Sequence, residues 1–190
     1  MSEPQNLQKK EEVKEIKGCG RLFKRLFLGS RLDYELIENI TSGKLQEVKE
    51  LLAKGASVNA RNELGTTALM FACDFGYFDI VSLLINKNAN VDDKNGLGFT
   101  ALHYAVQKPD LRVVRLLVNL SEKELENRIN RKDEKGNTPL HLAVEAGNID
   151  VIDFLLKRKA NKFIENNERR TPLDIAKRKQ FVKIVSLLEN

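Results

Sequence analysis

The feature that most constrains this chain is a repeat. Four stretches align directly: "GTTALMFACDFGYFDIVSLL" (65–84), "GFTALHYAVQKPDLRVVRLL" (98–117), "GNTPLHLAVEAGNIDVIDFLL" (136–156) and "RRTPLDIAKRKQFVKIVSLL" (169–188). Their central leucines, Leu69, Leu102, Leu140 and Leu173, are spaced by 33, 38 and 33 residues. A weaker copy, "YELIENITSGKLQEVKELLAKGASVNA" (34–60), puts Leu36 another 33 residues before Leu69. A chain that repeats at this period cannot bury the apolar face of any one unit within that unit. It must stack the copies into an elongated array with one continuous core.

Each copy has the same internal plan. A Thr-Ala-Leu or Thr-Pro-Leu opening supplies a hydroxyl N-cap, with Pro tolerated at the first helical position. A short apolar helix runs to a break at Gly43, Gly76, Pro109 or Gly147. A second helix ends in paired aliphatics such as Leu83-Leu84 or Leu116-Leu117. A turn-rich segment such as "NVDDKNGLG" leads to the next copy, its Asn and Gly suited to tight turns.

These residues resemble the ankyrin repeat. T-P-L-H-x-A at a 33-residue period appears outright as Thr138–Ala143, and as T-A-L-H-x-A at Thr100–Ala105. The resemblance covers residues 34–190 and implies an all-α fold, an ankyrin-repeat solenoid of stacked helix-turn-helix units with hairpin loops projecting to one side. The repeats fall at about 34–61, 62–94, 95–132, 133–165 and 166–190. The pattern departs from the family in the first copy, which has Asn39 where the others have Ala72, Ala105, Ala143 and Ala176. In the last, Arg169 and Gln180 stand in the two glycine slots. Lys162 fills an apolar slot, which predicts a looser last hairpin. The five residues added between copies three and four lie in "LSEKELENRIN" (120–130), where Ser121 with Glu124 reads as a capping box before a short helical turn.

Before the repeats, residues 1–20 read as a polar, disordered tail and 21–33 as a basic amphipathic helix. Leu22, Phe23, Leu26 and Phe27 form one stripe of that helix, and Ser30 with Asp33 reads as a fresh capping box after it. The segment 18–32 has two readings: a cap on repeat one, or a tether to a membrane or a partner, as in a membrane-associated or host-directed, effector-type protein. The opening residues hold no apolar core of the kind a signal peptide requires, and the longest purely apolar run is six residues, Ala68–Cys73. A cytoplasmic location is expected, which suits a chain with only Cys19 and Cys73 and no framework of bridges. Residues 1–32 carry a net +4 of the total +5, so the globular part is expected to be near neutral and nucleic acid is not an expected partner.

The sequence offers no catalytic chemistry. There is no phosphate-binding G-x-x-x-x-G-K-[ST], no G-x-S-x-G and no H-E-x-x-H. His103 and His141 share one slot in successive repeats and lack Cys or carboxylate partners at metal spacing, which makes them structural. Cys73, in an alanine slot, reads as a small buried residue. No enzyme activity, cofactor or metal is expected.

What the resemblance implies instead is binding of protein partners, by a monomer, through the hairpin tips and the exposed face of each first helix. Carried over slot by slot, repeat two supplies Arg61, Glu63, Leu64, Thr66, Phe71, Asp74 and Phe75. Repeat three supplies Lys94, Leu97, Phe99, Tyr104, Gln107 and Lys108, and repeat four Glu134, Lys135, Asn137, Leu142 and Glu145. Leu64, Phe75, Leu97 and Phe99 read as apolar anchors within a polar rim. Phe71 and Tyr104 have a second reading, as packing between inner helices. On this view Phe75→Ala with Phe99→Ala leaves stability unchanged and abolishes partner capture.

Overall fold

A computed structural model of the protein describes residues 30–189, which form eleven helices and no strand among those residues. Five helix pairs stack along one axis. Repeat one contributes α1 (Arg31–Thr41) and α2 (Leu45–Ala53), repeat two α3 (Ala68–Phe75) and α4 (Phe78–Asn86). Repeat three has α5 (Ala101–Ala105), α6 (Leu111–Val118) and an added α7 (Leu125–Ile129). Repeat four has α8 (Pro139–Ala146) and α9 (Ile149–Lys157), and repeat five α10 (Pro172–Arg178) and α11 (Val182–Glu189). The first helices pack on one another in the order α1, α3, α5, α8, α10, each with its own second helix behind it.

The core is one continuous layer between the two rows of helices. Leu36, Leu69, Leu102 and Leu140 are fully buried in the same slot of successive repeats, and Leu84, Leu117 and Leu155 match them from the second row. Ala72, Ala105, Ala143 and Ala176 are also buried. Their small side chains let neighbouring inner helices approach closely. Cys73 is completely buried, and burial pushes its thiol pKa far up, which makes it an inert apolar filler.

Every first helix opens the same way. The N-cap hydroxyl of Ser30, Thr67, Thr100, Thr138 or Thr171 faces the N3 residue, whose side chain in turn accepts the cap's own backbone N–H. That acceptor is Asp33, Met70, His103, His141 and Asp174 in turn. The N-cap of repeat one is Ser30, so α1 starts one turn earlier than a strict 33-residue register would put it. Residues 31–33 thus belong to the helix of repeat one and not to a preceding one. The rest of the segment expected to cap or tether, residues 18–29, lies outside the described residues.

The departures from the pattern have structural outcomes. Arg169 and Gln180 adopt φ of 56° and 58°, the left-handed conformation that Gly136 and Gly147 adopt at 76° in repeat four. The slots are therefore preserved in geometry although the residues are not glycine. Pro109 shortens α5, and Asn148 bridges the break by donating from Nδ2 to the carbonyls of Val106 and Lys108 at 2.8 and 3.1 Å. The last hairpin is tied rather than loose, because Lys162 Nζ donates to the carbonyl of Leu188 at 2.6 Å. In the inserted segment the expected Ser121 capping box does not form. The helix there begins at Leu125, after Glu124, with no side-chain cap.

Candidate protein-interaction surface

The hairpins are built on one polar residue each. Asn62, Asn95, Asp133 and Asn166 sit at the entry of their turns, and the side-chain oxygen of each accepts backbone N–H groups inside its own hairpin. Asn95 is buried and its Nδ2 donates to Thr66 Oγ1 at 3.1 Å and to the Tyr104 hydroxyl at 2.9 Å. Asn166 likewise donates to Asn137 Oδ1 at 2.8 Å. The cross-hairpin role of these Asn residues was hidden in the sequence behind their ordinary turn preference.

The tips are joined by main chain. Gly96 N–H donates to Leu64 O at 2.7 Å, Glu134 N–H to Leu97 O at 3.0 Å, and Asn167 N–H to Lys135 O at 3.0 Å. A Cβ on Gly98 would come within 2.8 Å of Glu134 N, and one on Gly136 within 2.7 Å of Asn167 N. Tip-to-tip approach is thus as close as backbone allows. The ladder crosses the five-residue insertion without interruption. It fixes the tip side chains in a row and uses only that of Asn167, whose Nδ2 donates to Glu134 O at 2.8 Å.

Against this frame the expected binding residues separate into two groups. Leu64 and Leu97, 57% and 54% exposed at adjacent tips, stand out of the fold, and Glu63, Lys94, Glu134 and Lys135 are exposed around them. Lys94 and several others also make internal contacts. Arg61 pairs with Asp93 at 2.7 Å, joining the first two hairpins, and Lys108 with Asp74 at 3.1 Å, linking repeats two and three. Lys94 Nζ reaches the Lys132 carbonyl at 3.4 Å, and Gln107 Nε2 donates to His103 O at 2.8 Å. Glu145 is half-buried and its carbonyl accepts from Lys179 Nζ at 3.1 Å.

Three expectations need correction. Leu142 and Thr66 are buried and cannot line an exposed face. Phe99 is half-buried, 5.3 Å from the Tyr104 ring and 5.4 Å from that of His103, and both Phe99 and Tyr104 pack against the core. Phe71 packs there too, so for Phe71 and Tyr104 the packing reading is the one the geometry supports. Phe75 differs: it is half-buried and stacks on Tyr77 at 5.7 Å. Removing Phe99 therefore costs stability, whereas Phe75 remains a candidate contact.

The two histidines are held structurally. Thr100 and Thr138 each donate their backbone N–H to the Nδ1 of His103 or His141 at 3.1 Å, so the ring proton sits on Nε2. That of His141 donates to Arg170 O at 3.0 Å, crossing to the next repeat. Burial lowers the His103 pKa to about 4 and that of His141 in the same direction. On the surface, the Arg112 side chain holds the Asp110 carboxyl below the usual range, and Thr171 does so for Asp174. No cluster of His, Cys, Asp and Glu suited to a metal occurs among the described residues, and no helix there is long and apolar enough to cross a membrane. Nothing in the local sequence pattern pointed to Arg128. It is 4% exposed and forks onto Asp92 with two bonds of 2.8 Å, with a third to Leu117 O at 3.2 Å.

Comparison with known proteins agrees with this architecture. Residues 36–128 match a model of ankyrin repeats in three copies, and residues 122–176 one of ankyrin repeats in many copies. The chain is 34% identical over 161 residues to the mitochondrial disaggregase of Bos taurus, which takes in 84% of this chain and 23% of that protein. It is 42% identical over 60 residues to oxysterol-binding protein homolog 2 of Saccharomyces cerevisiae, 31% of this chain and 5% of that one. A 48-residue stretch is 44% identical to alpha-latroinsectotoxin-Lt1a of Latrodectus tredecimguttatus, 25% of this chain and 3% of that toxin. The chain thus spans less than a quarter of the length of these three relatives, and what it has in common with them is the repeat array. Five stacked helix pairs, a main-chain ladder of hairpin tips and family matches running from residue 36 to residue 176 together show that the chain belongs to the ankyrin-repeat family, whose members generally serve as protein–protein interaction modules.

Proposed function

We propose that this chain is a non-catalytic interaction module that holds a protein partner across the hairpin tips of repeats two and three, with Leu64 and Leu97 as its anchors. Glu63, Lys94, Glu134 and Lys135 form the polar rim, and Phe75 extends the contact along the inner-helix face. The observation that carries this reading is the pair of leucines, each more than half exposed at neighbouring tips whose backbones are bonded at 2.7 Å. Leucine at a tip contributes little to the fold, and two in a fixed row give a preorganised apolar contact with little ordering cost on binding. The role that fits is an adaptor, scaffold or regulator acting as a cytoplasmic monomer, a setting in which Cys73 stays a free buried thiol.

The test is a comparison of the wild type with Leu64→Ser/Leu97→Ser. Both proteins are used as bait from the same extract, and the captured partners are identified by mass spectrometry. The double variant should melt with the wild type and lose the captured set. Retention of that set would overturn the assignment of the anchors.

A further inference from the structure

Asn95 is followed by Gly96, and no other asparagine in the chain precedes a glycine. In that dipeptide an asparagine side chain closes most readily on its own backbone, because no side chain shields the glycine nitrogen. The fold does not require glycine there. Gly96 lies outside the left-handed region, and a Cβ on it would meet only Leu64, whose carbonyl oxygen is nearest at 3.3 Å. Glu134 and Asn167 donate from the same slot in the next two tips. The matching turn residues Asn62, Asp133 and Asn166 are followed by Glu63, Glu134 and Asn167.

The native turn holds the reacting atoms apart. The Gly96 N–H must lose its proton before its nitrogen can attack, and it donates to Leu64 O at 2.7 Å. Asn95 Oδ1 accepts the N–H groups of Leu97 and Phe99, both at 3.0 Å, which fixes the plane of the amide. Nδ2, the group that would leave, donates to Thr66 Oγ1 at 3.1 Å and to the Tyr104 hydroxyl at 2.9 Å. Asn95 is 7% exposed, so the water needed to complete the reaction is kept out.

We propose that Asn95–Gly96 is a self-modification site, which the folded turn keeps silent and which opening of the turn releases. In the opened turn the Gly96 nitrogen loses its proton and bonds to Asn95 Cγ, and the Cγ–Nδ2 bond breaks. Nδ2 leaves as ammonia with that proton, and residues 95 and 96 share a five-membered succinimide. Water then breaks one of the two carbonyl–nitrogen bonds of the ring. Cleavage at Cγ leaves aspartate, which the slot tolerates, since Asp133 accepts the Asn137 N–H there at 2.7 Å. Cleavage at the main-chain carbonyl leaves isoaspartate, whose backbone runs through Cγ and is one carbon longer. The added atom moves Gly96 off Leu64 O, and the row of tips loses its register between Leu64 and Leu97. The reaction itself needs no partner; only its effect on recognition rests on the proposed role of those leucines.

Peptide mapping of the full chain, aged in mildly alkaline buffer with and without urea, tests the proposal. In urea, Asn95 should be the first asparagine to become an acid, with isoaspartate among the products. Without urea the same change should be slower on the order of 100-fold, which corresponds to an opening free energy of about 2.7 kcal/mol. Thr66→Val/Tyr104→Phe leaves Nδ2 without its two acceptors. It should speed the reaction of the folded protein on the order of 10-fold and leave the rate in urea unchanged. Gly96→Ala should suppress the reaction in both states while melting with the wild type. In refolded chains that carry isoaspartate, the amide of residue 96 should exchange its hydrogen quickly. Equal rates with and without urea, another asparagine reacting first in urea, or a Gly96 amide still protected beside isoaspartate would each overturn the proposal.

Discussion

At the scale of single residues, the acceptor at the third position of each inner helix links sequence to acid stability. His103 can accept the Thr100 N–H only while neutral, and burial keeps its pKa near 4, below the ordinary value of 6.5. Above pH 6.5 the ring is neutral in both folded and unfolded chains and contributes no pH dependence. As pH falls from there towards 4, the unfolded chain takes up a proton that the folded one refuses, so stability is lost, by roughly 3 kcal/mol for a shift of this size. His141 adds in the same direction. His103→Met puts into repeat three the acceptor that repeat two uses at Met70. Urea midpoints measured between pH 7 and 4 should fall less steeply for this variant than for the wild type.

The left-handed slots make a second prediction at this scale. Gly136→Ala combines a φ of 76° with a clash against Asn167, and should lower stability by about 2–4 kcal/mol in chemical denaturation. Arg169→Gly, in the matching slot of repeat five, should raise it by about 1 kcal/mol. The sequence identified the slots, because a repeat makes each position its own control. It did not reveal that Arg169 and Gln180 keep the glycine geometry, since that depends on the neighbours that hold them.

At the scale of elements, the inserted α7 is the instructive case. The apolar pair Leu125 and Ile129 announced a helical turn in the sequence, and Ile129 is indeed fully buried. The start was misplaced because Ser121 has the right chemistry but stands four residues before the helix begins. The reason the insertion is ordered is Arg128, whose fork onto Asp92 spans 36 residues of sequence. Such a pairing leaves no local pattern to find. Arg128→Lys keeps the charge but loses the fork, and should destabilise the protein by about 2–3 kcal/mol, with hydrogen exchange quickening first in residues 120–130. Among the expected interface residues the same limit applies. Slot position told where Phe99, Tyr104 and Leu142 lie along the chain. Their burial is decided by which rings and helices meet them from the next repeat.

At the scale of the whole molecule, a stack held by neighbour contacts is stable in proportion to the contacts each unit makes. Repeat five seals least: α11 buries Ile184 and Leu188, whereas α9 buries Val151, Ile152 and Leu155. Native-state hydrogen exchange should therefore show α10 and α11 opening before the rest. Ile184→Ala should melt that pair alone, while Gly136→Ala lowers the main transition. The overall plan was legible from the 33-residue period, but how well each repeat is sealed was not, because that depends on which neighbours pack on it.

The hairpin ladder has a practical consequence. Because main-chain carbonyls and amides join Leu64 to Gly96, Leu97 to Glu134 and Lys135 to Asn167, the side chains of Glu63, Leu64, Leu97, Glu134 and Lys135 are decoupled from the architecture. The row is a printed circuit board whose sockets are wired on the back. Randomising positions 63, 64, 97, 134 and 135 together should yield a library in which nearly every member folds, so that selection acts on recognition alone.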